Sequence, residues 1–331
     1  MRNLSAATGP LVLDVTLRDG GYLNNWKFSP SVMRRVARGL SAVSVDLVEV
    51  GYLDIGKKLG CAARSSIRSL MQLREILGTS CLVVMLRPSA RWNLNMISRR
   101  APYIDLIRIP FTADRTDVAL RVADACRAAN VDCSLNLGSV SSLDPKQLPK
   151  IIRRCEAASI FYLADSRGAL RPNEVEHLVK ISRQSWDGLL GFHAHDNLGL
   201  AAANSQAALS AGCDIIDGSI NGYGLGGGNL DLRYALGMVR DLRRIEQSKP
   251  FDFQHLERMS RALFLPKDLR NAYAYYLSGM KNLEQEWVPL LSDILGEQLL
   301  HHISELPRRR YKRFEEVTST FDGQDALHNW N

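Results

Sequence analysis

The stretch Leu189-Leu190-Gly191-Phe192-His193-Ala194-His195-Asp196-Asn197 sets the reading of the whole chain. An apolar pair leads in, and Leu200-Ala201-Ala202-Ala203 follows as the start of a helix. His-x-His therefore closes a strand. Side chains at i and i+2 of a strand share a face, so His193 and His195 present two imidazoles to one point. Neutral imidazole is a common ligand for divalent metals. Two polar residues at a strand end with no shared task are the plain alternative.

A strand that hands over to a helix is one βα unit, and the rest of the chain supplies more. Strand-like runs Leu11 to Leu17, Asp46 to Val50, Cys81 to Leu86, Tyr103 to Ile109, Asp132 to Leu137 and Ile160 to Ala164 precede it, and Asp214 to Ile220 follows. Helical patterns alternate with them, the first opened by Ser29 as N-cap and Pro30 in the first turn. The others cover about 65–77, 93–99, 114–129, 145–157, 172–184, 200–211 and 230–242. Continuous apolar strands alternating with helices predict a parallel sheet buried on both faces. The span from Leu11 to Leu242 is close to the ~250 residues of a closed (β/α)₈ TIM barrel. An open doubly wound sheet is the alternative. Polar residues follow most of the strands, as the single catalytic face of a barrel requires, so the barrel is expected.

The alternation stops near Pro250. Phe251 to about Ile303 is helical in pattern, with an aromatic-rich piece, Asn271 to Leu277, and the tail after Pro307, ending Leu327 to Asn331, carries no clear element. The expected domains are a barrel over residues 1–249 and a helical C-terminal extension with its tail over 250–331.

Composition narrows the class. Hydrophobic residues make up 46% and charged residues 23% of 331, as in an ordinary globular protein. No apolar run reaches the ~18 residues of a membrane span, and Met1 to Pro10 lacks the apolar core of a signal peptide. A cytoplasmic protein is expected. Six scattered cysteines with no Cys-x-x-Cys indicate neither a disulfide framework nor a zinc knuckle. The net charge of +7 is modest, and the basic run Arg308 to Arg313 is followed at once by Glu315-Glu316. That reads as a solvated surface rather than a nucleic-acid interface; the charge suits small anionic substrates better.

The chemistry collects at three strand ends. The first strand leads through Asp14-Val15-Thr16-Leu17-Arg18-Asp19-Gly20-Gly21, and the eighth leads into Asn221-Gly222-Tyr223-Gly224-Leu225-Gly226-Gly227-Gly228-Asn229. Barrel closure makes strands one, seven and eight neighbours, so Asp19, His193 and His195 can meet. Two imidazoles and a carboxylate with open positions suit Mn²⁺, Mg²⁺, Fe²⁺ or Co²⁺, and Asn229 can add an oxygen. The glycine loop lacks the Lys-Ser/Thr of a P-loop; close backbone approach to the metal centre is the preferred reading over phosphate binding.

Asp-x-Thr-Leu-Arg-Asp-Gly, a late His-x-His and the Gly-x-Gly-Gly-Gly-Asn loop together resemble the DRE-TIM metallolyases. That superfamily groups metal-dependent lyases and Claisen-condensing enzymes: 4-hydroxy-2-oxovalerate aldolase, hydroxymethylglutaryl-CoA lyase, isopropylmalate synthase and the pyruvate carboxyltransferase domain. The resemblance covers Leu11 to about Leu242 and is nearest the 4-hydroxy-2-oxovalerate aldolases. It implies Asp19, His193 and His195 as metal ligands, Arg18 as the stabiliser of an enolate oxygen, and Glu49 as its ion-pair partner. It also implies Asp165 and Ser166 near the carboxylate of a 2-oxo acid. Manganese or magnesium is the implied ion, with cobalt, iron or zinc as other candidates. The implied reaction makes or breaks a C–C bond beside a 2-oxo acid through a pyruvate-type enolate, with an aldehyde as partner substrate. A Claisen-type acyltransferase using an acyl-CoA is the alternative enzyme, and a non-catalytic barrel serving as an interaction module is the alternative without chemistry. In some relatives the helical extension contacts a dehydrogenase; here a homodimer contact is the leading expectation.

Two positions depart from the aldolase pattern. Tyr22 stands where those aldolases carry a histidine base, either as acid/base or as an aromatic lid. Arg167 stands where they have glycine, meeting a second anionic group of the substrate or pairing on the surface.

Overall fold

The structure, a computed structural model, describes residues 9–56, 59–88, 92–243, 253–263, 265, 267, 268 and 271–320. The expected boundary at 249/250, residues Met1 to Thr8 and the tail segment Leu327 to Asn331 lie outside these residues. Eight strands run parallel: β1 (Leu11–Asp14), β2 (Leu47–Tyr52), β3 (Cys81–Met85), β4 (Leu106–Phe111), β5 (Asp132–Leu137), β6 (Ile160–Asp165), β7 (Leu189–Ala194) and β8 (Ile215–Gly218). They close in chain order, β8 pairing back to β1 through Leu11 beside Ile215 and Asp14 beside Gly218. The open sheet is excluded. Around the barrel lie α1 (Pro30–Ala42), α2 (Ile67–Leu77), α3 (Leu94–Ser98), α4 (Thr116–Ala128), α5 (Leu148–Arg153), α6 (Pro172–Arg183), α7 (Ala201–Ser210) and α8 (Leu232–Arg243). The Ser29 side chain caps α1 by accepting from the Val32 N–H.

β1 stops at Asp14 rather than Leu17. The Asp14 carboxylate accepts from the Thr16 N–H at 3.1 Å and the Thr16 hydroxyl at 2.6 Å, which turns the chain and brings Arg18 and Asp19 over the barrel mouth. Strand parity divides the barrel interior into layers of four from alternate strands. Leu47, Leu106, Ile160 and Ile215 of the even strands form an apolar floor. Two residues further along the same strands come Glu49, Arg108, Tyr162 and Asp217, all buried. Above them β7 raises His193.

The C-terminal helices are α9 (Phe253–Ala262), α10 (Ala272–Lys281), α11 (Trp287–Leu295), α12 (Leu299–Glu305) and α13 (Glu315–Thr318). α9 lies on α1, where Met259 fills the notch left by Gly39. α13 lies in the tail, where no element is expected from sequence. α10 to α13 share a small core of their own, including Tyr275, Leu283, Leu291, Ile303 and Tyr311. That unit sits on the βα-loop face of the barrel. Gln285 donates to the Ser166 carbonyl at 2.8 Å, Asn197 to the Ser278 hydroxyl at 3.3 Å, and Arg167 to Glu284.

Candidate metal centre and pocket

Asp19, His193 and His195 are buried, and one ligand atom from each lies within 4.8 Å of the others. The hydrogen bonds behind the rings fix their tautomers. His195 Nδ1 is 3.1 Å from the Gly228 carbonyl, which can only accept, so the ring proton sits on Nδ1. His193 Nδ1 is 2.9 Å from Asp217 Oδ2. Burial works to raise the Asp217 carboxyl, but Arg108 and His193 hold it below its ordinary value. It is ionised and accepts. In the neutral form of each ring the lone pair is then on Nε2; the two Nε2 atoms are 3.4 Å apart and face Asp19 Oδ2 at 3.9 and 3.8 Å.

Burial alone would raise Asp19, yet Arg18 and then the two histidines hold it down at about 2. Burial, partly offset by Asp19, holds His195 down at about 4. The trio is one carboxylate and two imidazoles whose Nε2 atoms turn toward it from one side. Asp19 Oδ2 has no hydrogen-bond partner, nor has the nearby buried Asn229 Oδ1. Such a donor set fits a divalent cation.

The glycine loop shapes this corner. A Cβ on Gly224 would come 2.3 Å from Asn229 Nδ2 and 3.0 Å from Asp19 Oδ2. Gly228, at φ +94°, turns its carbonyl to His195, and a Cβ there would meet the Gly222 carbonyl oxygen at 2.3 Å. Asn229 is held by donating to the Tyr223 carbonyl at 3.0 Å.

Arg18 donates from Nε to Glu49 at 2.7 Å and from Nη1 to Asp19 at 2.8 Å. Trp26 Nε1 donates to the Arg18 carbonyl at 2.6 Å, anchoring the turn from below. Asp19, His193, His195 and Arg18 border a cavity of about 480 Å³. Tyr22, Tyr52, Arg87, Asn136, Ser139 and Ser166 line it too. Tyr22 packs edge-on against Trp26 and accepts from Arg87, which also reaches the Tyr52 hydroxyl at 3.2 Å. Burial and Tyr52 push the Tyr22 hydroxyl well above its usual range against the pull of Arg87. Ser166 faces the cavity and accepts from the Ser139 N–H at 3.0 Å.

Two of the residues expected beside the substrate lie outside the cavity lining. Arg167 neither meets the cavity nor lies at the surface: it is buried, pairs with Glu284 and donates to the carbonyls of Asn282 and Tyr311. The C-terminal helices supply enough acceptors to draw it away from the pocket. Asp165 ends β6 with the outward parity of Phe161 and Leu163, and its carboxylate accepts from the Ala169 and Leu170 N–H groups, each at 3.0 Å. It braces the loop that carries Ser166. Burial outweighs those two donors and raises its carboxyl to about 6.

Residues absent from the sequence reading complete the site. Arg108 and Asp217 lie beneath the histidines, and Glu284, Gln285 and Glu286, between α10 and α11, form part of the cavity wall. A charged residue inside an otherwise apolar strand, as in Leu-Ile-Arg-Ile and Ile-Ile-Asp-Gly, was the available signal for the first two.

Residues 105–263 match the HMGL-like family. A 4-hydroxy-2-oxovalerate aldolase of Burkholderia pseudomallei is 30% identical over 84% of this chain and 82% of its own length. An oxaloacetate decarboxylase of Mycobacterium tuberculosis is 25% identical over 76% of this chain and 77% of its own. Among solved structures, an N-terminal domain from Bacteroides vulgatus superimposes with a TM-score of 0.72 at 27% identity, covering 85% of this chain and 96% of that one. The carboxyl transferase domain of Rhizobium etli pyruvate carboxylase shares the fold, with a TM-score of 0.71 at 20% identity over 91% of this chain and 56% of that one. With an aldolase relative matching more than four fifths of both chains, this chain belongs to the HMGL-like family of DRE-TIM metallolyases.

Proposed function

We propose that this protein is a divalent-metal-dependent carbon–carbon lyase that makes or breaks a bond at the carbon beside the carbonyl of a pyruvate-type 2-oxo acid. The observation that carries the reading is the convergence of Asp19, His193 and His195 at the edge of a cavity that Arg18 also borders. The names of the relatives support it: an aldol cleavage and an oxaloacetate decarboxylation both leave the enolate of pyruvate.

Asp19, His193 and His195 would hold the ion, Mn²⁺ or Mg²⁺ by preference and Co²⁺, Fe²⁺ or Zn²⁺ as alternatives, with Asn229 Oδ1 as a further oxygen. When bound, the ion supplies Lewis-acid stabilisation of oxygen charge beside the reacting carbon. Arg18, its Nε and Nη1 tied to Glu49 and Asp19, keeps Nη2 for the substrate as an oriented donor toward the developing enolate oxygen. Glu49 holds that guanidinium in place. Ser166 and Ser139 bind the 2-oxo acid carboxylate side, while Asp165 positions Ser166 through the loop. Tyr22 keeps its proton at neutral pH, which suits donation to the alkoxide of an aldehyde partner better than abstraction. Arg87 beside it adds a cation to that wall. Exposed Tyr273, Tyr276 and Leu290 support a homodimer contact on the C-terminal helices; an aldehyde-accepting dehydrogenase is the other partner such a surface suits. Among the described residues no helix is long and apolar enough to cross a membrane; the proposed location is the cytoplasm.

Pyruvate release from oxaloacetate and from a series of 4-hydroxy-2-oxo acids, followed with and without Mn²⁺ or Mg²⁺, tests the proposal. Metal-dependent release from either class supports it, and the ratio between them tells decarboxylase from aldolase. No release from either class by metal-loaded protein would contradict it.

A further inference from the structure

The layer beneath the histidines contains what a barrel core ordinarily avoids. The Arg108 side chain is 1% exposed, and those of Glu49 and Asp217 are fully enclosed. One turn of the barrel lower, Leu47, Leu106, Ile160 and Ile215 fill the equivalent positions with hydrocarbon. Burying ions is costly, and an apolar layer packs at least as well. Packing therefore does not account for the charged layer.

Its bonds form a ring through the site. Arg108 Nη2 donates at 2.6 Å to Asp217 Oδ2, the same oxygen that accepts from His193 Nδ1 at 2.9 Å. Arg108 Nη1 donates at 3.0 Å to Glu49 Oε2, the same oxygen that accepts from Arg18 Nε at 2.7 Å. Arg18 Nη1 continues to Asp19, whose other oxygen faces His193. The second oxygens of Glu49 and Asp217 have no partner, so all their bonding passes through the shared atoms. The guanidinium is itself fixed from two more strands. It lies over the Tyr162 ring, 4.4 Å from the centroid, and Asn136, with its amide oxygen toward the arginine, accepts from Nε at 3.0 Å.

We infer that Arg108 is a positioning residue for both halves of the site, acting on His193 through Asp217 and on Arg18 through Glu49. The inference rests on the metal-centre reading of Asp19, His193 and His195. One planar cation with several fixed donors sets the direction of two carboxylates. One of them fixes the proton of His193 on Nδ1, leaving Nε2 for an ion; such outer hydrogen bonds are worth about 10- to 100-fold in metal affinity. The other aims the proposed enolate donor. Lysine cannot do both, because a single ammonium lacks the fork.

The test is made on the full chain at pH 8, with Asp217→Asn and Arg108→Lys as variants. Imidazole ¹⁵N shifts of metal-free protein are expected to show His193 protonated on Nδ1 in the wild type, with the preference weakened in both variants. Mn²⁺ titration is expected to give 10- to 100-fold weaker binding in both. A wild-type His193 protonated on Nε2 would overturn the inference, even if neither variant folded. Folded variants with unchanged tautomer and unchanged Mn²⁺ affinity would overturn it as well. Wild-type protein that binds no Mn²⁺, with His193 still on Nδ1, would instead remove the metal-centre reading.

Discussion

Tyr22 and His193 show how differently two site residues can be read. His193 is legible from sequence, because a strand end puts i and i+2 on one face and the chemistry needs only that. Tyr22 is not: besides Trp26 in its own loop, its role depends on Tyr52 and Arg87, which come from two other strand ends and meet it only in the fold. Arg108 and Asp217 escaped because one charge in an apolar run does not reveal which side of a barrel wall it faces. For Tyr22→Phe we expect turnover to fall about 100-fold, the lower end of the range for losing a general acid. Mn²⁺ affinity, measured by titration, should stay unchanged. Glu49→Gln should lower kcat by about 10-fold or more with an intact near-ultraviolet dichroism spectrum, because Arg18 keeps a hydrogen bond but loses its counter-charge.

Secondary-structure elements set two further outcomes. The helical character of residues after Phe251 was plain from periodicity, whereas their seat over the barrel mouth was not, since periodicity names an apolar face and never its partner. Arg167 is one of the side chains that join the helices to the barrel, by pairing with Glu284 and reaching Asn282 and Tyr311. Arg167→Met should cost about 1–3 kcal/mol, as for leaving buried acceptors unpaired, because Glu284 keeps contact with solvent. Hydrogen exchange should rise in α10 to α12 while Mn²⁺ affinity persists. The end of β1 gives a pH dependence. Burial, opposed by the Thr16 bonds, raises the Asp14 carboxyl from 3.8 to about 7. Between those values the folded chain holds a proton that the unfolded chain has lost, so this group's stability is present below about 4 and is lost as pH rises through about 7. Urea unfolding of metal-free Asp14→Asn should therefore show a shallower fall in stability across pH 4–7 than wild type.

At the scale of the molecule, the barrel was readable because its strands are short apolar runs at regular spacing, and closure follows from placing three strand-end motifs together. Closure is also what assembles the proposed metal centre: Asp19 and the histidine pair are nearly the full barrel apart in sequence and neighbours only because β8 meets β1. An ion held by that junction binds the folded chain alone, so at 100 times its dissociation constant Mn²⁺ should add about 2.7 kcal/mol of stability, removable by chelator. The central claim is that this junction generates the enolate of a pyruvate-type acid. Its most direct test is deuterium incorporation at the pyruvate methyl group in deuterated buffer, with the metal chelated before the NMR spectrum is taken. Exchange that requires Mn²⁺ or Mg²⁺ and disappears in His193→Ala is the predicted result. Stoichiometric metal binding with no exchange of the methyl protons would contradict it.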